Sequence, residues 1–339
     1  MNISKTLLKR IAAVVVIAVI AFLAWSQIQQ SYAVSYGHGT VLSDNWWDGL
    51  NWMKENTPEC AVVATYWDPG HFITSIGERF TVFGGTSQNI KRTLTFEKDL
   101  TKQKMDELSV TGKYTYEKFE KNGKTYTNIT TARIQDISTT LLTSSEQEAI
   151  NILDKYDYED CEDGMYYIAS SDLIGKSQWW TYFSTWDPVG NDGKKGEKYV
   201  YAQVQITNAE PLEEQNAIKY IYNLDNQGVQ KFEIYERNGS LSAFLKQQNS
   251  LVKVSELIYY DKNGTLKRNI NEDAQMEGAI WLDPSKRVLI YIPKQLKESI
   301  FTKLYFFNGE NLENFEMVKN WGGEVKLFKV NLNNSTVPY

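Results

Sequence analysis

One run of side chains limits every other reading of this chain: Ile11–Trp25, fifteen consecutive apolar residues (IAAVVVIAVIAFLAW), preceded by Lys5, Lys9 and Arg10. A spanning helix needs about 20 apolar residues, and Leu7, Leu8 and the snorkelling stems of Lys9 and Arg10 extend the run to a thin span. The basic flank assigns the N-terminus to the cytoplasm, which puts everything after about Gln27 outside the cell. The alternative is a cleaved signal peptide, because Ser31-Tyr32-Ala33 is a small-x-small site behind a short apolar core. Residues 1–33 are therefore a single-pass anchor in the cell membrane or a signal peptide of a secreted chain. Both readings deliver the rest to the exterior.

The remainder agrees with that destination. Acceptor sequons stand at Asn128-Ile129-Thr130, Asn238-Gly239-Ser240, Asn263-Gly264-Thr265 and the overlapping Asn333-Asn334-Ser335-Thr336, permissive signs in a chain rich in Asn, Ser and Thr. Cys60 and Cys161 are the only cysteines and could form one disulfide in an oxidising exterior. With two histidines beside them, they leave no Cys/His zinc cluster. A net charge of -6 argues against a nucleic-acid partner, which calls for a basic face.

Along the 339 residues the expected architecture is an α/β core domain followed by a β-rich domain, behind one N-terminal transmembrane helix. The α/β domain covers 34–195. Ser43 or Asp44 caps a helix to Asn56, with Trp46, Leu50 and Met53 on one side, and Thr57-Pro58 stops it. Cys60–Tyr66 then reads as a buried strand, Ser145–Glu148 as a capping box, and Met165–Ala169 as a second strand. An insertion at 91–130 alternates around Asn122-Gly123, as a hairpin does. The boundary falls in Asn191–Lys198, a polar stretch without periodicity. From there 196–332 reads as strands and tight turns, with Asn-Gly hairpin signals at Asn238-Gly239, Asn263-Gly264 and Asn308-Gly309, and 333–339 is a tail.

The chemistry concentrates at Tyr66-Trp67-Asp68-Pro69-Gly70-His71, where a core strand ends in an indole, a carboxylate and a Pro-Gly pair. Proline sets the turn entry, and glycine accepts positive φ. An indole donates one N–H and a carboxylate only accepts, so Trp67 and Asp68 together suit a small hydroxyl. The plain alternative is a structural turn with a packed Trp. His71 reads as a packing or hydrogen-bonding residue and not as a general base. The acidic run Asp154–Asp163 could hold calcium loosely, but reads as a solvated loop.

The longer string Asn51–Thr74, NWMKENTPECAVVATYWDPGHFIT, resembles the stretch around the WWDYG motif in the catalytic subunits of oligosaccharyltransferases of the archaeal AglB type. Here Tyr66-Trp67-Asp68-Pro69-Gly70 departs from the motif at its first and fourth residues. The literal Trp46-Trp47-Asp48 upstream falls on the preceding helix and reads as structural. Three more blocks resemble the family in the same order. Gly84-Gly85 with Gln88-Asn89 matches a glycine-rich turn, and Thr131–Leu153 a helix pair. Asp172-Leu173-Ile174-Gly175-Lys176 resembles its second motif, an Asp and a Lys on a helix near the hydroxyl pocket. Asp172 and Lys176 stand one residue further apart than in the family but share a helix face, and Trp180 would supply the bulky contact. An ordinary surface ion pair is the competing reading. Ile292–Val330 resembles the family's C-terminal stretch, so the likeness covers nearly all of the exterior part except the insertion and parts of the β-rich domain.

The resemblance implies an N-glycosylation oligosaccharyltransferase domain that recognises the Ser/Thr of Asn-x-Ser/Thr through Tyr66, Trp67, Asp68, Asp172, Lys176 and Trp180. It implies transfer of a lipid-linked oligosaccharide by a separate multi-pass membrane catalytic portion. No Asp or Glu precedes Asp44, so the carboxylates for a divalent metal, Mg or Mn, are expected in that portion, with no cofactor and no catalytic residue in this chain. A membrane-anchored binding or adaptor protein with the same fold, non-catalytic, is the alternative.

Overall fold

A computed structural model describes residues 5–37, 42–84, 91–158, 160–186, 196–225, 227–248 and 250–332. Its first helix, α1 (Lys5–Gly37), contains the segment Ala13–Tyr32, long and apolar enough to cross a membrane. At 1.5 Å per residue such a segment reaches about 30 Å, the depth of a bilayer's hydrocarbon core. The helix continues without a break past Ser31-Tyr32-Ala33. Contacts divide the chain into Met1–Trp47 and a second unit from Asp48 onward.

Helix α2 (Asp44–Asn56) is capped by Ser43, whose Oγ accepts the Trp46 N–H at 3.2 Å. It turns Leu50 and Met53 inward, and the Trp46-Trp47-Asp48 triplet lies on it. At its other end the buried Arg79 donates to the carbonyls of Lys54 (2.6 Å) and Thr57 (2.7 Å), satisfying oxygens that a helix end leaves open. The short strand β1 (Val62–Ala64) follows, then α3 (Gly70–Ser75) and β2 (Phe80–Thr81).

The insertion is larger than a hairpin. Strand β3 (Lys91–Phe96) and helix α4 (Lys102–Ser109) precede β4 (Thr115–Lys121) and β5 (Lys124–Ala132), and the three strands pair in the order β3-β5-β4. Asn122 and Gly123 make the expected turn with φ of 53° and 72°. Leu100, Met105 and Ile129 form a small core of its own.

Helices α5 (Arg133–Leu142) and α6 (Glu146–Asp154) come next. Ser145 caps α6 by accepting the Glu148 N–H at 3.2 Å, while the Glu148 carboxylate turns to the Thr143 hydroxyl. Strand β6 (Met165–Ser170) is buried at every position, and α7 (Asp172–Gly175) and α8 (Ser177–Thr185) follow it.

The segment from 196 onward is not one β-rich layer. Strands β7 (Ala202–Gln205), β8 (Asn208–Leu212), β9 (Ala217–Asn223), β10 (Gln230–Arg237), β11 (Ser240–Gln247), β12 (Ser250–Lys253), β13 (Glu256–Tyr260), β14 (Leu266–Ile270), β15 (Ala279–Leu282) and β16 (Val288–Ile292) make two five-stranded sheets, ordered β12-β11-β10-β9-β8 and β14-β13-β15-β16-β7. Tyr222, Phe232, Leu257 and Leu289 pack in the core shared by these two sheets. Then α9 (Lys294–Lys297), α10 (Ile300–Phe307), β17 (Phe315–Trp321) and β18 (Val325–Val330) return to the α/β part. Strand β18 pairs antiparallel with β6, giving a sheet ordered β17-β18-β6-β1-β2. One core runs from Val62 and Tyr167 through Ile137 and Leu153 to Phe301, Ile258 and Ile290, which joins the α/β part to the second β-sheet. Asn308-Gly309 is accordingly no hairpin: Asn308 (φ 55°) caps α10, and the Gly309 N–H reaches back to the Lys303 carbonyl at 2.9 Å. A left-handed pair ends a helix as readily as it turns a hairpin. The proposed boundary residues 191–195 lie outside the described residues.

Candidate functional site

Strand β1 is parallel to β2 on one side and β6 on the other, with Val62 opposite Met165 and Ala64 opposite Tyr167. Their amino ends are tied by the Cys60–Cys161 disulfide. Their carboxyl ends therefore emerge side by side, which is where open parallel sheets hold ligands. Tyr66-Trp67-Asp68 leaves the end of β1, and Ser170-Ser171-Asp172 leaves the end of β6.

Alternation along the strand decides which of these side chains is reachable. Tyr66 is buried, and burial, aided by the negative Asp68, outweighs a hydrogen bond from Trp67 and pushes its phenol up to about 12. Trp67 is 36% exposed and meets the edge of the Tyr66 ring at 6.5 Å. Tyr66 thus lies beneath Trp67 and supports it. Pro69 precedes α3, and its carbonyl accepts the Phe72 and Ile73 N–H groups at 2.9 and 3.0 Å. Gly70 serves a different purpose from the one its turn signal suggests. It lies on the helix without positive φ, and a Cβ there would come within 2.4 Å of Gly84 Cα and 2.9 Å of the Phe83 carbonyl. Close backbone approach is what requires glycine at position 70. Gly85, Gln88 and Asn89 lie outside the described residues.

The charged groups converge. Lys176 Nζ lies 2.8 Å from Asp68 Oδ2 and 2.7 Å from Asp172 Oδ2, and Ser170 Oγ donates to Asp172 Oδ1 at 2.5 Å. All three charged side chains are about a third exposed: Lys176 33%, Asp68 32% and Asp172 34%. Burial pulls the Lys176 ammonium down, but its hydrogen bonds to Asp172 and Asp68 outweigh that and hold it above its ordinary value. Asp68 Oδ1 makes no hydrogen bond with any described residue. The assembly leaves an acceptor oxygen beside a half-exposed indole, the pairing that suits a hydroxyl.

Trp180 is not part of this assembly. It is fully buried, its Nε1 donates to the Leu173 carbonyl at 2.9 Å, and its ring packs on Tyr201 and Phe301. Lys176 caps both α7 and α8 with φ −92° and ψ 1°, so the helical phase breaks there and spacing of four no longer predicts a shared face. The exposed indole on α8 is Trp179, with Lys198 Nζ 5.1 Å from its ring centre. Ser170, which braces Asp172, and Gly84, which receives Gly70, are the participants that residue patterns did not single out in these roles. Among the described residues no group of three or more His, Cys, Asp or Glu side chains is arranged to hold a metal.

No family model matches this sequence. It is 24% identical over 326 residues to a dolichyl-phosphooligosaccharide-protein glycotransferase of Methanocaldococcus jannaschii, an alignment covering 85% of this chain and 34% of that protein. A protein of the same name from Methanococcus voltae is 22% identical over 338 residues, covering 82% of this chain and 35% of its own length. Its homologues are archaeal oligosaccharyltransferases. The chain spans about a third of the length of these oligosaccharyltransferase relatives. Among solved structures, the C-terminal domain of C. jejuni PglB aligns with a TM-score of 0.43 and 13% identity, over 84% of this chain and 99% of that one.

Proposed function

We propose that this chain is the exterior, acceptor-recognising part of an N-glycosylation oligosaccharyltransferase, anchored in the cell membrane with its N-terminus in the cytoplasm. The observation that carries the reading is the Asp68–Lys176–Asp172 assembly beside the exposed Trp67, at the carboxyl ends of two adjacent parallel strands. Trp67, whose indole N–H otherwise rests on the Tyr66 phenol, donates it to the Ser/Thr hydroxyl of an Asn-x-Ser/Thr polypeptide, and the hydroxyl donates in turn to Asp68. Lys176 holds Asp68 in place from the side, and Asp172 orients Lys176. An acceptor without the hydroxyl forfeits these hydrogen bonds, a loss of about 1 kcal/mol at groups that water can still reach. The partners are the acceptor polypeptide, the membrane and a multi-pass catalytic portion that carries the lipid-linked oligosaccharide and the divalent metal, Mg or Mn. Nucleic acid is not a partner.

The test compares photo-crosslinking of Asn-x-Thr and Asn-x-Ala peptides to the chain and to its Trp67→Ala and Asp68→Ala variants. A Thr advantage of about fivefold, collapsing in both variants, is expected from the loss above. Equal labelling of the two peptides sinks the hydroxyl pocket. A second reading, a non-catalytic adaptor that grips Ser/Thr-containing segments, draws support from Tyr66 and Pro69, which stand where the family motif has other residues. It predicts the same crosslinking but no transfer to an Asn-x-Thr peptide when a multi-pass portion and a lipid-linked donor are supplied.

A further inference from the structure

We propose that the chain is itself a glycoprotein, modified at Asn238 and Asn263 and left unmodified at Asn128. The proposal rests on the exterior placement above, and on what the fold does to three sequons that look alike in the sequence. N-linked transfer joins the amide nitrogen of Asn to the anomeric carbon of a lipid-phosphate-linked oligosaccharide. The carbon–oxygen bond to phosphate breaks, the lipid phosphate leaves as an anion, and the amide releases a proton. An acceptor must therefore present a free side-chain amide and a free hydroxyl two residues on, on a segment that protrudes.

Asn238-Gly239-Ser240 occupies the two-residue turn between β10 and β11, closed by the Arg237–Ser240 pair, with φ of 50° at Asn238 and 79° at Gly239. All three residues are exposed, and neither the Asn238 amide nor the Ser240 hydroxyl is hydrogen-bonded to a described residue. Asn263-Gly264-Thr265 stands in the turn between β13 and β14. There the Asp261 carboxylate accepts the main-chain N–H groups of Asn263 and Thr265, each at 2.9 Å. The turn is held through its backbone, which leaves the Asn263 amide and the Thr265 hydroxyl outward and unengaged among the described residues. A Cβ placed on Gly239 or Gly264 would meet nothing within 4 Å, so the middle position of each triplet faces open space.

Asn128 is different in each of these respects. It lies on β5, the middle strand of its sheet, in register with Thr95 on β3 and Glu117 on β4. Its Oδ1 accepts the Thr95 hydroxyl at 2.7 Å, and the Thr130 hydroxyl is 2.8 Å from that of Thr93. Both triplet side chains are hydrogen-bonded across the face of the sheet, Asn128 through its carbonyl oxygen, and the backbone between them is held on both sides, so a protruding loop can form there only by pulling out a central strand.

The experiment isolates the full chain from membranes of the cells that make it and maps intact glycopeptides by mass spectrometry. Glycan is expected on the Asn238 and Asn263 peptides and not on the Asn128 peptide. Ser240→Ala and Thr265→Ala remove the hydroxyl, with the γ-methyl at Thr265, and keep the left-handed turn residue, and each should delete one glycan mass. Either turn peptide found only unmodified, or a glycan on Asn128, overturns the proposal. Labelling of intact cells with a membrane-impermeant amine reagent separates the causes: unmodified sequons on a labelled exterior domain refute this inference and leave the acceptor-recognition reading standing.

Discussion

Lys155 and Lys176 are built from the same materials and end in opposite electrostatic states. Lys155 Nζ meets Asp136 Oδ2 at 2.9 Å and the Ser109 carbonyl at 3.0 Å, and the same Asp136 oxygen accepts the Tyr156 hydroxyl at 2.6 Å. Both charges are sealed in, with the Asp136 side chain 1% exposed and Lys155 8%. Burial wins there and lowers the ammonium's pKa in spite of Asp136, and it raises the Tyr156 phenol well above its ordinary range. At Lys176 two half-exposed carboxylates win instead. A sealed pair of charges can only hold the fold together. An open one keeps a carboxylate oxygen within reach of an incoming hydroxyl, and water can leave when that hydroxyl arrives.

The comparison breaks most visibly at the buried end. Asp136→Ala strands the Lys155 ammonium and the Tyr156 hydroxyl without their acceptor and should cost about 3–5 kcal/mol in urea unfolding. Asp136→Leu combined with Lys155→Met removes the charges as well and should recover most of that loss, since an apolar pair of similar size avoids the desolvation of both ions. If Asp136→Ala unfolds within about 0.5 kcal/mol of wild type, the pair contributes nothing and the contrast fails.

Lys326 extends the series to a lysine with no carboxylate at all. Its Nζ donates to the Tyr305 carbonyl at 2.5 Å and Asn308 Oδ1 at 2.7 Å, on the wall of a cleft of about 760 Å³ that also touches Ser171. Burial brings it down to about 8. Between that value and the ordinary lysine pKa near 10.4 the unfolded chain binds more protons than the folded one, so stability rises with pH. The gain should be about 1.5 kcal/mol from pH 8 to 9.5, below the range where unfolded tyrosines ionise and reverse the trend. Lys326→Met should flatten that slope. Parallel curves for the variant and wild type would show that Lys326 does not titrate in this range.

Much of this arrangement was legible where the signal is short-range. Ser43, Thr57-Pro58 and Ser145 bound their helices as expected, and three of the four Asn-Gly pairs turn hairpins, because caps and turns are decided by a few neighbouring residues. Long-range pairing was not legible. Nothing in the run Val325–Val330 announces that it returns to β6, and the Asp68 to Lys176 contact follows only from two strands lying side by side. Trp180 lies apart from the charged group for a local reason, a helix junction at Lys176 that periodicity reads straight through. Gly70 was recognised as special for the wrong cause, since the backbone it must admit is Gly84, beyond the reach of a turn rule.

The smallest expected effect on stability is the sharpest test of the comparison. Lys176→Met removes an ammonium shared by two carboxylates that are a third exposed, where solvent screens the pair and side-chain entropy opposes it. It should shift unfolding by about 1 kcal/mol or less. Because the raised pKa keeps Lys176 charged, its contribution is fully present below the unfolded lysine value and fades only as pH climbs beyond it. Between pH 6 and 9 that contribution should therefore be constant, in contrast to Lys326. Peptide crosslinking should nevertheless lose most of its preference for Asn-x-Thr over Asn-x-Ala, because Asp68 is then free to swing away from Trp67. A variant that unfolds by several kcal/mol, or one that keeps the full Thr preference, would move Lys176 to the structural side of the comparison beside Lys155.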